Sequence, residues 1–144
     1  MGDETIVIAA DHAGFELKQV IKAELEALGF DVHDLGTHDT ESVDYPDFAD
    51  ALASAVLNGH ARRGVLLCGT GIGASIAANR HRGLRAALCH DAESARMGRL
   101  HNDANVLVLG GRVTPDETAR ECLRIFLDTP FEGGRHTRRV AKLA

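Results

Sequence analysis

The sequence has no tryptophan and few other aromatic residues, which argues against one class of binding site. Aromatic residues make up 4% of the 144 residues, as one tyrosine and five phenylalanines. Proteins that bind bases or sugars by stacking depend on such rings. The net charge of −5 also disfavours nonspecific contacts with nucleic acid phosphates. We therefore expect no nucleic acid partner.

Cysteine is also scarce, and the number and spacing of the cysteines argue against a fold held by disulfides or by zinc. Cys68, Cys89 and Cys122 are odd in number and form no Cys-x-x-Cys pair, so neither a disulfide scaffold nor a zinc knuckle is indicated. No set of His, Cys and carboxylate residues has metal-ligand spacing, so we expect no metal. The N-terminus lacks a signal-peptide pattern and no segment resembles a membrane span. We expect a cytoplasmic protein with no membrane contact.

What the sequence does contain is a regular alternation of apolar runs and helical patterns. Helices are predicted in the stretches between the runs, up to a final short helix from Arg135 to about Leu143. This alternation predicts an α/β domain over residues 1–144, a doubly wound three-layer sandwich around a five-stranded parallel sheet. The predicted strands are Thr5–Ala10, Asp31–Leu35, Gly64–Cys68, Arg85–Cys89 and Asn105–Leu109.

Two details concern the later helices. The fourth helix is predicted over about Ala92–Leu100, which leaves His101 and Asn102 in the connection before the last strand. The sequence Thr-Pro-Asp-Glu at Thr114–Glu117 predicts a capping box with proline at the first helical position.

Polar and glycine-rich segments follow the predicted strands at one edge of the sheet. In open parallel sheets, ligands bind beyond the carboxyl ends of the strands, so these segments are the candidate site. They are Asp11–His12, Cys68–Gly73, His90–Asp91 and Gly110–Arg112.

The segment after the third strand reads Cys-Gly-Thr-Gly-Ile-Gly. It differs from a dinucleotide-binding fingerprint in two ways. Its third glycine comes one residue early, and the segment directly follows the third predicted strand instead of the first. It lacks the Gly-Lys-Ser/Thr ending of a P-loop. A plain tight turn remains one interpretation. The other is an anion hole, in which the amide groups of Gly69–Gly73 at a helix N-terminus bind a phosphate or a reaction oxyanion.

Cys68 lies directly before this segment. A helix N-terminus favours the thiolate over the thiol, so Cys68 is a candidate nucleophile or general base. A nucleophilic role would indicate a phosphatase or hydrolase. Cys89 and Cys122 are expected to be inert packing residues.

The other candidates each have a structural alternative. Asp11 and His12 are either site residues or a helix N-cap followed by a surface histidine. His101 is either a catalytic acid or a structural histidine. Tyr45 donates a hydrogen bond or only packs. Arg135 and Arg139 are four residues apart and are suited to grip a phosphate monoester, or belong to a solvated basic helix end.

Five segments, taken together and in order, resemble the B-type ribose-5-phosphate isomerases of the ribose/galactose isomerase family. The likeness extends over nearly the whole chain. The segments are AADHAGFELK, LGTHDTESVDYPDFA, CGTGIGASIAANR, RLHNDANVLVLGGR and FEGGRHTRRV.

The resemblance implies a Rossmann-like sandwich, a homodimer with sites at the subunit interface, and no cofactor. Tetramers are an alternative. It implies the interconversion of ribose 5-phosphate and ribulose 5-phosphate, with Cys68 as general base and His101 as the ring-opening acid. Thr70 and Asp11 are expected to assist in proton transfer. The residues expected to contact the sugar phosphate are Asp11, His12, Tyr45, Gly69, Thr70, Gly71, Ile72, Gly73, Asn102, Arg112, Arg135 and Arg139.

Two alternatives stay open from the sequence: a six-carbon sugar phosphate as the substrate, and a non-catalytic sugar-phosphate-binding domain. A branch of the family uses a glutamate a few residues after the cysteine position, but this chain has Cys68 and has Ala74 after Gly73. The His-Asn pair and the basic tail favour a pentose phosphate over galactose 6-phosphate, whereas allose 6-phosphate is harder to separate. A non-catalytic sugar-phosphate-binding domain would share the loop and the arginines but would not need a thiol.

Overall fold

The computed structural model describes residues 4–144 and contains five strands and six helices in strict alternation up to the last two helices. The strands are β1 (Thr5–Ala10), β2 (Asp31–Asp34), β3 (Arg63–Cys68), β4 (Ala86–Leu88) and β5 (Val106–Gly110). The helices are α1 (Phe15–Ala27), α2 (Tyr45–Leu57), α3 (Ile72–Asn79), α4 (Ala92–Asn102), α5 (Asp116–Asp128) and α6 (Arg135–Ala141).

The five strands form one sheet in the order β2-β1-β3-β5-β4, and every neighbouring pair is parallel. The chain leaves β1 toward β2 on one side and then returns to place β3 on the other side of β1. This reversal makes the gap beyond the carboxyl ends of β1 and β3 the topological switch point, where ligands of open α/β sheets bind.

Both faces of the sheet are buried, as the almost unbroken apolar strands predict. On one face, Val65 and Leu67 of β3 join the core that α1 and α5 cover. On the other face, Leu66 and Cys68 join the core that α2 and α3 cover. The predicted three-layer α/β sandwich with a five-stranded parallel sheet is therefore confirmed. The alternation of β3 also directs the Cys68 side chain toward α3.

Helix α4 extends further than predicted. Its last turn includes His101 and Asn102, and it ends at Asp103, which adopts a left-handed conformation with φ of 47°. The helix therefore continues through polar residues that look like a loop in the sequence.

The predicted capping box at Thr114–Glu117 is wrong. Pro115, not Thr114, is the N-cap residue of α5, and no side chain caps that helix. The capping box lies instead at α4, where the Asp91 carboxylate accepts from the Ser94 amide at 2.8 Å and the Ser94 hydroxyl accepts from the Asp91 amide at 3.3 Å. None of the helices in the described part of the chain is long and apolar enough to span a membrane.

Candidate active site

A cavity of about 520 Å³ opens at the switch point between β1 and β3. Nine of the residues predicted from the sequence line it. Two lining residues were not predicted, Ala13 and Ile76, because small and apolar side chains carry no chemical signal. The predicted lining residues are Asp11, His12, Tyr45, Cys68, Gly69, Thr70, Ile72, Gly73 and Arg112.

Cys68 is the last residue of β3, and its sulfur lies in the turn that leads into α3. The amide N–H of Gly71 donates to Cys68 Sγ at 3.2 Å. A hydrogen bond from an amide to sulfur is stronger when the sulfur is a thiolate, because the acceptor then carries charge. The side chain is 4% exposed, and that small exposed part faces the cavity. This geometry suits a base that acts on a bound molecule and is otherwise shielded from water.

The glycine segment uses its glycines for different purposes. Gly71 is the N-cap of α3 with φ of +81°, a conformation that favours glycine. Gly73 allows the Tyr45 ring to approach closely, since an added Cβ would lie 2.5 Å from the ring. Gly71 therefore shapes the turn, and Gly73 allows the ring of Tyr45 to pack against the start of α3.

The amide groups of this turn are only partly free. Gly71 N–H donates to Cys68 Sγ, and Ile72 N–H donates to Thr70 Oγ1 at 3.2 Å. Among residues 4–144, the amides of Gly73 and Ala74 have no acceptor, as is normal in the first turn of a helix. Free donors at a positive helix end can receive an anion or a developing oxyanion. Within the predicted anion hole Gly69–Gly73, the amides of Gly69 and Thr70 also have no acceptor among residues 4–144, so only those of Gly71 and Ile72 are occupied.

Asp11 and His12 follow β1 on the opposite side of the cavity from the glycine turn. Asp11 Oδ1 accepts from the amides of Ala13 and Gly14, each at 3.0 Å, so half of the carboxylate holds the turn before α1. The predicted helix cap by Asp11 is wrong, because the N-cap of α1 is Gly14 and no side chain caps that helix. Oδ2 of Asp11 makes no hydrogen bond within the described chain, so it is free to bind a ligand.

The ring of His12 is fixed from one side. Its Nδ1 lies 3.2 Å from the Val43 amide, which donates to it. Because Nδ1 accepts, the neutral ring carries its hydrogen on Nε2. His12 is therefore presented as a hydrogen-bond donor.

Arg112 brings positive charge to the cavity. Its side chain lies against Gly69, with Cδ and a guanidinium nitrogen 3.5 and 3.7 Å from the position of an added Cβ. The amide of Arg112 donates to Gly69 O at 2.9 Å, so the segment after β5 is tied to the glycine turn. The cavity thus combines one thiol, one arginine and free amide donors.

Four of the predicted residues lie away from this cavity: His101, Asn102, Arg135 and Arg139. α4 starts near the carboxyl end of β4 and runs back toward the amino end of β5, so His101 and Asn102 lie at the opposite edge of the sheet from Cys68. The helix has 11 residues, a length of about 16 Å. Asn102 lines a separate cavity of about 320 Å³ with Arg85 and Ala86 at the start of β4.

α6 packs against the end of α4, which brings a second group of polar residues together. The rings of His101 and His136 stack at 4.3 Å, and Glu132 lies 3.8 Å from His101 Nε2. His136 is buried, and its Nε2 has no hydrogen-bond partner among residues 4–144. Neither Glu132 nor His136 was predicted, although both belong to the FEGGRH segment that carries Arg135.

The ligand atoms of His101, Glu132 and His136 lie within 4.8 Å of one another, a grouping that could hold a metal ion. Burial, followed by the positive charges of His101, Arg135 and Arg139, lowers the pKa of His136 and so disfavours its protonated form.

The other two cysteines are buried away from the cavity. Burial, together with the neighbouring Cys122, raises the pKa of Cys89 to about 12, and burial raises the pKa of Cys122 to about 11. Both therefore remain thiols at neutral pH.

Comparisons with known proteins identify one family. The family described as Ribose/Galactose Isomerase matches residues 6–143. Ribose-5-phosphate isomerase B of Escherichia coli is 46% identical over 135 residues, which are 94% of this chain and 91% of that protein. D-erythrulose-4-phosphate isomerase of Pectobacterium atrosepticum is 45% identical over 140 residues, 96% and 92% of the two chains. A ribose 5-phosphate isomerase from Thermotoga maritima is 53% identical with a TM-score of 0.95 and covers 97% of each chain.

Proposed function

This chain belongs to the ribose/galactose isomerase family, and we propose that it interconverts D-ribose 5-phosphate and D-ribulose 5-phosphate. The single observation that carries the proposal is the Cys68 sulfur, which lies in the cavity beside the free amides at the start of α3. A binding domain needs the amides but not the thiol. Relatives of high identity that are named ribose-5-phosphate isomerases support the choice of substrate.

The chemistry is the transfer of one proton between neighbouring carbons. In the open form of the aldose, the carbonyl at C1 acidifies the hydrogen on C2. The Cys68 thiolate takes this proton, and the electron pair moves through C1 onto the carbonyl oxygen to give an enediolate. Return of the proton to C1 gives the ketose. Thr70, which lines the cavity, moves a proton between the two oxygens through its hydroxyl group.

The amides at the start of α3 lower the barrier because they bind the oxygen more strongly as it gains charge. Loss of one such donor typically reduces kcat about 10²–10³-fold. Asp11 Oδ2 and His12 Nε2 bind sugar hydroxyl groups on the other side of the cavity. No step requires a cofactor.

We propose further that the enzyme acts as a homodimer whose sites combine residues of two copies. Ring opening needs an acid, and His101 lies across the sheet from Cys68 in its own chain. Exposed apolar side chains at the cavity rim, Ile72 and Ile76, each 54% exposed, offer a surface that a second copy would cover. His101, Asn102, Arg135 and Arg139 of that copy would then complete the site. Tetramers and a cytoplasmic location stay predictions.

The test of the proposed function is isomerisation with deuterium incorporation. Wild-type enzyme in D₂O should convert ribose 5-phosphate and exchange a carbon-bound hydrogen. Cys68→Ser should fold with the same Tm, still bind the sugar phosphate, and lose at least about 10²-fold in kcat, the range for removal of a general base. Full activity of this variant would remove Cys68 from the mechanism.

Assays with other sugar phosphates distinguish the proposed function from its alternatives. Allose 6-phosphate, galactose 6-phosphate and erythrulose 4-phosphate should each be slower than ribose 5-phosphate in kcat/KM. Binding without deuterium exchange would indicate a sugar-phosphate-binding domain. Phosphate release or a trapped covalent intermediate would indicate a thiol nucleophile.

A further inference from the structure

Lys18 is a completely buried charged side chain, and the proposed reaction does not use it. It lies on α1, and its Nζ contacts Asp34 Oδ2 at 2.5 Å. The ring of Phe15 lies 5.4 Å from the same Nζ. Burial of a lysine is costly unless a partner carries the opposite charge. The chain therefore retains a charged pair where an apolar side chain would pack with less cost.

The other carboxylate oxygen of Asp34 shows that the Lys18–Asp34 ion pair is connected to a turn of the backbone. Asp34 ends β2, and its Oδ1 accepts from the Gly36 amide at 2.9 Å. Gly36 has φ of +98°, so this turn depends on a specific backbone conformation. Burial opposes the charge on Asp34, yet the hydrogen bonds from Lys18 and from the Gly36 amide lower its pKa, so the carboxylate is charged at neutral pH.

The turn that begins at Gly36 is bonded to the last residue of β1. The Ala10 amide donates to Gly36 O at 2.8 Å, and the Thr37 amide donates to Ala10 O at 2.7 Å. Asp11 and His12 follow Ala10 directly, where they line the cavity. The same connection continues to Val43, whose amide donates to His12 Nδ1 at 3.2 Å. The connection after β2 therefore supports His12 in two ways: it bonds to the backbone of Ala10 just before His12, and it bonds to the His12 ring.

We propose that Lys18 is a positioning residue for His12, acting through Asp34 and the turn at Gly36. The ion pair fixes the start of the 35–44 connection, and that connection holds His12 in the orientation that binds the sugar. Small misplacement of a binding group costs a large factor in rate, because the substrate must be aligned with the base. This inference rests on the proposed isomerase function.

The variant Lys18→Met keeps the volume and removes the charge. It should reduce kcat/KM for ribose 5-phosphate about 10-fold. The matched control is Lys22→Met, since Lys22 also contacts Asp34 Oδ2, at 3.3 Å, but is 32% exposed. The control should stay within about 2-fold of wild type, because an exposed contact of this kind contributes little.

A double-mutant cycle distinguishes positioning from a general structural role. In a His12→Ala background, Lys18→Met should change kcat/KM by less than about 2-fold, because the residue through which it acts is already gone. A merely structural role would lower the activity by the same factor in both backgrounds. If Lys18→Met gives no folded protein, Asp34→Asn replaces it, because its amide oxygen still accepts from the Gly36 N–H.

Amide hydrogen exchange gives a readout that does not depend on activity. The amides of Thr37 and Val43 should exchange faster in Lys18→Met than in wild type, and should be unchanged in Lys22→Met. A wild-type chain without isomerase activity would overturn the proposed function, and exchange at Thr37 and Val43 would still test the positioning. Unchanged exchange in a folded variant, or an equal loss of kcat/KM in both backgrounds, would overturn the positioning role.

Discussion

Cys68 differs from the other two cysteines in its surroundings rather than in its burial. All three are buried and reduced. Cys68 receives a hydrogen bond from an amide and borders a cavity, whereas Cys89 and Cys122 lie in the apolar core between the sheet and its helices. The sequence distinguishes them correctly because a strand end followed by glycines marks a ligand edge, and core positions on a helix do not.

This difference predicts selective alkylation. At pH 7, iodoacetamide should label one thiol per chain, at Cys68, and ribose 5-phosphate should slow the labelling. With pKa values of about 12 and about 11, Cys89 and Cys122 have thiolate fractions of only about 10⁻⁵ and 10⁻⁴ at that pH. Peptide mass spectrometry identifies the site, with Cys68→Ser as the unlabelled control. Labelling of Cys89 or Cys122 at a comparable rate would contradict the assignment.

At the scale of single elements, the strands were predicted to within one or two residues at each end, because five apolar runs bounded by polar or glycine residues leave few alternatives. Helix ends were less predictable. α4 continues through His101 and Asn102 because packing against α6 supports its last turn, which local sequence does not reveal. Thr114 resembles an N-cap, but it is buried and its amide donates to Gly110 O. Packing there determines where α5 starts.

The start of α3 allows a direct test of how packing adds to backbone conformation. Gly71 and Gly59 have nearly equal φ values, +81° and +80°. An added Cβ at Gly71 would lie 2.4 Å from Leu88 Cδ1 and also 3.2 Å from the backbone carbonyl carbon of Leu109, which cannot move as easily, whereas at Gly59 it would meet nothing within 4 Å. Gly59→Ala should therefore cost only the left-handed strain, about 1 kcal/mol. Gly71→Ala should cost about 1–3 kcal/mol more, from overpacking.

Urea unfolding of both variants measures the difference in the free energy of unfolding. The m-value should be unchanged, so that the shift in midpoint reports stability. Equal destabilisation by the two substitutions would show that the turn at Gly71 relaxes around a methyl group. In that case the close packing of α3 against β4 and β5 would not define the glycine turn.

At the scale of the whole molecule, strand order decides which predicted residues meet. β1 and β3 are neighbours, so the segments after them form one cavity, as the rule for parallel sheets predicts. The same rule fails for His101, Asn102, Arg135 and Arg139, because they belong to the end of α4 and to α6. Sequence alone identifies these residues through the resemblance, but their distance from Cys68 follows only from the direction of α4.

That separation predicts complementation between two inactive variants. In a two-fold dimer whose sites pair Cys68 of one copy with His101 of the other, a mixed dimer of Cys68→Ser and His101→Ala has one wild-type site and one doubly altered site. Random mixing by co-refolding makes half of the dimers mixed, so activity should recover to about a quarter of wild type. Each variant refolded alone is the control and should stay inactive. If Cys68 and His101 instead acted within one chain, no mixed dimer would contain an intact site, and the absence of recovery in demonstrably mixed dimers would refute the composite site.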